Sequence, residues 1–152
     1  MSVELKPTGH SPAELAGWIG LAGPYDFLPT DNPEVQPVFF HPNYPKGAQP
    51  VELAISAAPP TFLGAATHDR LVSPQRSTIQ LAGKLRTAGI PATLNLYERA
   101  SHTTLIGAFA WPLHWVAPVL DDVVAFIDGA AGNGKDAKRD EGLRPMAAPS
   151  SP

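Results

Sequence analysis

The chain has no cysteine, which excludes a disulfide framework and thiolate chemistry. It has little net charge: 11 basic and 14 acidic residues leave −3 at pH 7. Neither sign is concentrated, so there is no basic stripe for nucleic acid and no acidic block for a charge-driven partner. Its five histidines (His10, His41, His68, His102 and His114) include no H-x-x-x-H pair. No metal site and no cofactor is therefore indicated. No apolar run approaches the roughly 18 residues of a membrane span. Residues 1–10 lack the charged start and apolar core of a secretion signal. The expectation is a soluble, cytoplasmic protein.

What is present is an apolar fraction of 43% in 152 residues, enough for one domain with a real core. Residues 18–22, Trp-Ile-Gly-Leu-Ala, form an apolar run stopped by Gly23-Pro24 and predict a buried strand. Prolines at 24, 29, 33, 37, 42, 45 and 50 make the next stretch loop-like, because proline removes ladder donors and blocks helix. Its aromatics Tyr25, Phe27, Phe39, Phe40 and Tyr44 predict a loop that packs on something. Tyr25 and Asp26 read as turn residues. Pro50 can open a short helix over 51–57.

Residues 61–66, Thr-Phe-Leu-Gly-Ala-Ala, read as a second strand, apolar on both faces. Ser73 and Pro74 are a good N-cap and first helical residue. Thr78, Leu81, Leu85 and Ala88 make one stripe of the helix that follows. Gly89 supplies its stop. Residues 92–97, Ala-Thr-Leu-Asn-Leu-Tyr, predict a third strand, with Leu94 and Leu96 facing one way and Asn95 a wetter side. A last helix is expected over 116–127, burying Leu120, Val123, Val124 and Ile127, with Asp121 and Asp122 in water and Gly129 as its end. Residues 129–152 hold four glycines, three prolines and seven charges. They read as a disordered tail, outside a domain of residues 1–128. The alternation of strands and helices predicts α/β architecture with parallel strands.

In open parallel sheets, functional residues gather past the C-terminal ends of strands. Asp69 lies three residues past Ala66, and His102 five past Tyr97. Their strands are consecutive, so an Asp–His contact is geometrically easy. A carboxylate on an imidazole fixes its tautomer and lets it act as a general base. Spacing alone leaves Asp69 equally readable as a turn aspartate and His102 as a loop histidine.

Several stretches together resemble the C-terminal half of α/β-hydrolase-fold esterases and lipases, the branch near hormone-sensitive-lipase-like carboxylesterases. They are Gly23-Pro24-Tyr25-Asp26-Phe27, Pro59-Pro60-Thr61-Phe62-Leu63, Thr67-His68-Asp69-Arg70-Leu71-Val72, the run from Leu81 to Gly89, Tyr97 and Ser101-His102. The likeness covers about residues 14–128. It implies that the three strands are the last three of the family's sheet, a partial α/β-hydrolase fold lacking the N-terminal half. It implies that Asp69 is the triad acid, in the family's G-x-x-D-x-x-V pattern with alanine for the glycine. It implies that His102 is the triad base, 33 residues later. The activity implied is hydrolysis of a small carboxylic ester through a serine nucleophile. The family carries over no metal or cofactor.

Gly9-His10-Ser11 begins like the nucleophile elbow G-x-S-x-G, but Pro12 and Ala13 break it. No buried strand precedes Ser11, and only seven residues separate it from Trp18, too few for a crossover. Ser11, Pro12 and Glu14 instead form a capping box. The chain also lacks an H-G-G-x oxyanion loop. The expectation is therefore a C-terminal fragment, or mis-started product, that holds two triad members and is inactive alone. The competing expectation is a non-catalytic assembly module. It would self-associate, or pair with an upstream half, through the bare edge of the first strand. Phe109, Trp111 and Trp115 read as packing residues, with an acyl pocket as the other option.

Overall fold

The computed structural model describes residues 15–53 and 58–141, with side chains for 15–52 and 58–130. Ser11 and its capping box, residues 54–57 and residues 142–152 lie outside the described residues. Among those described, no helix is long and apolar enough to cross a membrane.

Three strands form one parallel sheet in the order β1 (Trp18–Leu21), β2 (Thr61–Ala66), β3 (Ala92–Tyr97). Trp18 pairs with Thr61, and Thr61 with Ala92. The α/β class and the three strands are as expected. Every residue of β2 is buried, as a central parallel strand requires. Its alternate side chains feed two cores. Leu63 packs with Tyr25, Val51, Leu81, Ala82 and Leu85. Phe62 and Ala66 pack with Tyr97, Leu105, Val119 and Val123. Gly64 is needed for closeness: a Cβ there would lie 2.7 Å from Leu21 and 3.3 Å from Tyr97.

Helix α1 spans Pro50–Leu53. Helix α2 spans Gln80–Thr87 and is entered through a single wide turn, Gln75–Ile79, in which Ile79 N–H donates to the Pro74 carbonyl. The Ser73 hydroxyl accepts the Arg76 N–H at 3.3 Å, the cap its sequence announced. Thr78, Leu81 and Leu85 are buried as expected, but Ala88 is exposed and Ala82 takes its place. Gly89 ends the helix with φ +79°, a backbone that glycine adopts without penalty.

The proline-rich loop carries one 3₁₀ turn, Gln36–Phe39, and is pinned to the sheet. Tyr25 is buried edge-on against Trp18. The Gln49 side chain accepts the N–H groups of Phe27 and Leu28, each at 2.9 Å. Arg76 hydrogen-bonds the Leu28 carbonyl and pairs with Asp26 at 3.5 Å.

Past β3 come α3 (His102–Gly107), a 3₁₀ segment (Trp111–Val116) and α4 (Val119–Glu141). Here the structure departs from the sequence reading in three places. First, α3 is a helix where a loop was expected around His102. Second, α4 buries Val119 and Val123 and packs Phe126 on Phe62, whereas Leu120, Val124 and Ile127 stay about half exposed. The helix carries two adjacent apolar stripes, and periodicity cannot choose between them. Third, Gly129 does not end it. Glycine stops a helix by turning to positive φ, as Gly89 does; Gly129 is not in that region, and residues 129–141 of the expected tail continue the helix.

Candidate active site

Asp69 and His102 meet at the C-terminal ends of β2 and β3. At the close of β2 the Thr67 N–H donates to the Tyr97 carbonyl at 3.1 Å. A turn then follows, with the Asp69 N–H donating to the Ala66 carbonyl at 3.2 Å. His102 is the first residue of α3. Ser101 caps that helix: its hydroxyl accepts the Thr104 N–H at 3.2 Å, and the Thr104 hydroxyl accepts the Ser101 N–H at 2.8 Å. This reciprocal box fixes the backbone from which the imidazole projects.

The two readings that spacing left open for Asp69 are both realised, one on each oxygen. Oδ1 accepts the N–H groups of Leu71 and Val72 at 2.8 and 3.0 Å. Oδ2 lies 2.7 Å from His102 Nδ1. The turn thus holds the carboxylate rigidly where the histidine can use it. The Asp69 side chain is 1% exposed and that of His102 is 32% exposed. Burial pushes the Asp69 carboxyl upward, but the hydrogen bonds from Val72, His102 and Leu71 outweigh it and hold the group below the usual carboxylate value. An ionised carboxylate accepts only. It therefore keeps the proton on Nδ1 of a neutral His102 and leaves the Nε2 lone pair free. Among the described residues no hydroxyl hydrogen-bonds His102. The adjacent Ser101 oxygen is committed to its cap.

The imidazole opens onto a shallow pocket of about 350 Å3, lined by His68, Arg70, Leu71, Ala100, Ser101 and Thr103 besides His102 itself. Phe109, Trp111 and Trp115 do not line it. Nor are they packing residues, since Trp111 is 84% and Trp115 72% exposed. The expectation that these aromatics pack fails because Phe109, just past the end of α3, is 40% exposed and the 3₁₀ segment that carries the two tryptophans buries none of its residues.

A second cluster escaped the sequence reading. Asp122 was expected in water, yet its Oδ2 accepts the Tyr97 hydroxyl at 2.7 Å and the Asn95 amide at 2.9 Å. Burial and then the Asp122 carboxylate raise the Tyr97 hydroxyl pKa. The bonds tie α4 to β3 and set the helix rotation. Asn95 between Leu94 and Leu96 was the available signal. Among the described residues, no group of three His, Asp or Glu converges in a way that could hold a metal ion.

Set against models of known protein families and against curated proteins, the chain matches none.

Proposed function

We propose that Asp69 and His102 are the acid and base of a serine-type acyl-transfer site acting on small carboxylic esters, carried on the C-terminal part of an α/β-hydrolase-like sheet. The observation that carries this reading is the 2.7 Å bond from Asp69 Oδ2 to His102 Nδ1 at the ends of adjacent parallel strands. The carboxylate orients the ring and stabilises the imidazolium. Nε2 takes the proton of a serine hydroxyl as the oxygen attacks the ester carbonyl. It then returns the proton to the leaving alcohol, and water hydrolyses the acyl-enzyme by the same route. The serine comes from outside the described residues.

The test is to read the coding DNA ahead of the Met1 codon and to assay the product of the whole reading frame. In-frame H-G-G-x and G-x-S-x-G motifs are expected, with ester hydrolysis that His102→Ala lowers by at least about a thousandfold. A reading frame without those motifs, or hydrolysis indifferent to His102, overturns the proposal.

A second reading is an assembly module, and one observation favours it. Strand β1 pairs with β2 alone among the described residues, so its outer backbone groups are open to another strand. A stable dimer without hydrolytic activity would support that reading; a well-behaved monomer would count against it.

A further inference from the structure

We infer that His102 can itself act as a nucleophile toward activated aryl esters, giving the 152-residue chain a slow hydrolytic activity that needs no serine. The inference rests on the reading of Asp69–His102 as an oriented pair. It goes beyond it by making the ring nitrogen, not a hydroxyl, the atom that is acylated.

Three observations converge. The first is orientation: Nδ1 faces a carboxylate that is 1% exposed, while about a third of the His102 side chain is exposed. The tautomer that Asp69 selects places the lone pair on Nε2, the nitrogen turned away from that carboxylate. The second is that no hydroxyl among the described residues bonds this imidazole, so none of them competes with substrate for Nε2. The third is the pocket, in which Arg70 offers a cation for a carbonyl oxygen as it becomes an oxyanion. Beside it Leu71, largely exposed, offers apolar surface for an aryl ring.

The step balances without a co-reactant other than water. The Nε2 electron pair forms a bond to the ester carbonyl carbon. The tetrahedral adduct collapses, the carbon–oxygen bond breaks, and the phenolate leaves with its electron pair. What remains is an N-acyl imidazolium whose positive charge lies 2.7 Å from the Asp69 carboxylate, by the Nδ1–Oδ2 separation. Water then adds to the acyl carbon, the C–Nε2 bond breaks, and the acid and a proton are released. A phenolate needs no proton to depart, which confines the activity to aryl esters. Alkyl esters, whose alkoxide must be protonated, stay with the serine route.

The experiment uses the 152-residue chain and p-nitrophenyl acetate, with rapid acid quench and mass spectrometry. Release of p-nitrophenolate should fall at least about tenfold in both His102→Ala and His102→Asn. It should change less than about twofold in His41→Ala, His114→Ala and Ser11→Ala, none of which lines this pocket. An acetyl group should appear transiently on the peptide bearing His102. Unchanged release in the His102 variants overturns the inference while leaving the serine reading to its own test. Release that needs His102 but leaves no acetyl on it also overturns it, because the ring would then be delivering water as a base. An acetylated serine would do the same and would support the serine reading directly. Absence of G-x-S-x-G in the coding DNA leaves the present inference standing.

Discussion

On one face of the sheet three leucines, Leu63, Leu81 and Leu85, are wholly enclosed under α2. On the other face five alanines, Ala22, Ala66, Ala100, Ala108 and Ala117, share the core with Phe62, Leu105, Val119 and Val123. Around that second core the large apolar side chains Phe109, Trp111, Trp115, Leu120, Val124 and Ile127 remain on the surface. The α2 face is thus closed by leucines of α2 and β2 together with Val51 of α1 and Tyr25 of the loop. The α4 face mixes small residues with a few large ones, and polar ties from Asp122 to Tyr97 and Asn95 join α4 to β3 there. His102 opens the short helix α3, whose Leu105 belongs to this second core. One face is closed, and the other carries the helix of the candidate base.

The most damaging way to break that asymmetry is to open the sealed face. Leu85→Ala deletes a fully buried side chain between α2 and β2. It should cost about 2–5 kcal/mol, the range for large-to-small changes in rigid cores. Chemical denaturation followed by tryptophan fluorescence measures it, because Trp18 packs against this core. A cost under about 1 kcal/mol would mean that the face is not close-packed.

The next largest effect is at Asp69 and depends on pH. Hydrogen bonds hold its folded-state pKa below the ordinary 3.8. A depressed carboxyl stabilises the fold above the unfolded value, and that contribution is lost as pH falls through the folded value. Asp69→Asn should therefore be less stable than the parent chain at neutral pH. The two should converge as pH drops below 3.8. A gap that stays constant into acid would show that the loss is one of packing, not of charge. The same variant leaves the sealed face untouched, so any loss it produces belongs to the open one.

Much of this layout is legible in the residues. Strands β1 and β2 stand out as apolar runs and β3 as an alternating one, and α2 is announced by Ser73-Pro74 and closed by Gly89. Asp69 and His102 follow from strand ends alone as candidate partners, because parallel topology brings consecutive C-terminal loops together. What is not legible has physical causes. Helix α3 is only six residues, too short for a periodic signal, and it is held by the Ser101–Thr104 cap. The rotation of α4 depends on a tertiary bond from Asp122 to a strand 25 residues earlier. No local pattern encodes that bond. The division of labour between the two Asp69 oxygens is likewise a property of the folded turn.

The smallest effect gives the sharpest test, because it compares neighbours. Val123 and Val124 are adjacent and chemically identical, yet one is buried against Phe62 and Tyr97 and the other is half exposed. Val123→Ala should cost about 1–2 kcal/mol through lost methyls and the cavity they leave. Val124→Ala should cost less than about 0.5 kcal/mol, and the alanine's higher helix propensity offsets part of even that. The pair reads the rotation of α4 directly. Equal costs would mean that the second apolar stripe is also covered in solution, and the asymmetry between the two faces would then belong to the single chain rather than to the protein as it exists. If the costs differ as expected, the tie from Asp122 is enough to choose the buried stripe. Tyr97→Phe should then narrow the difference between the two valines by loosening the choice.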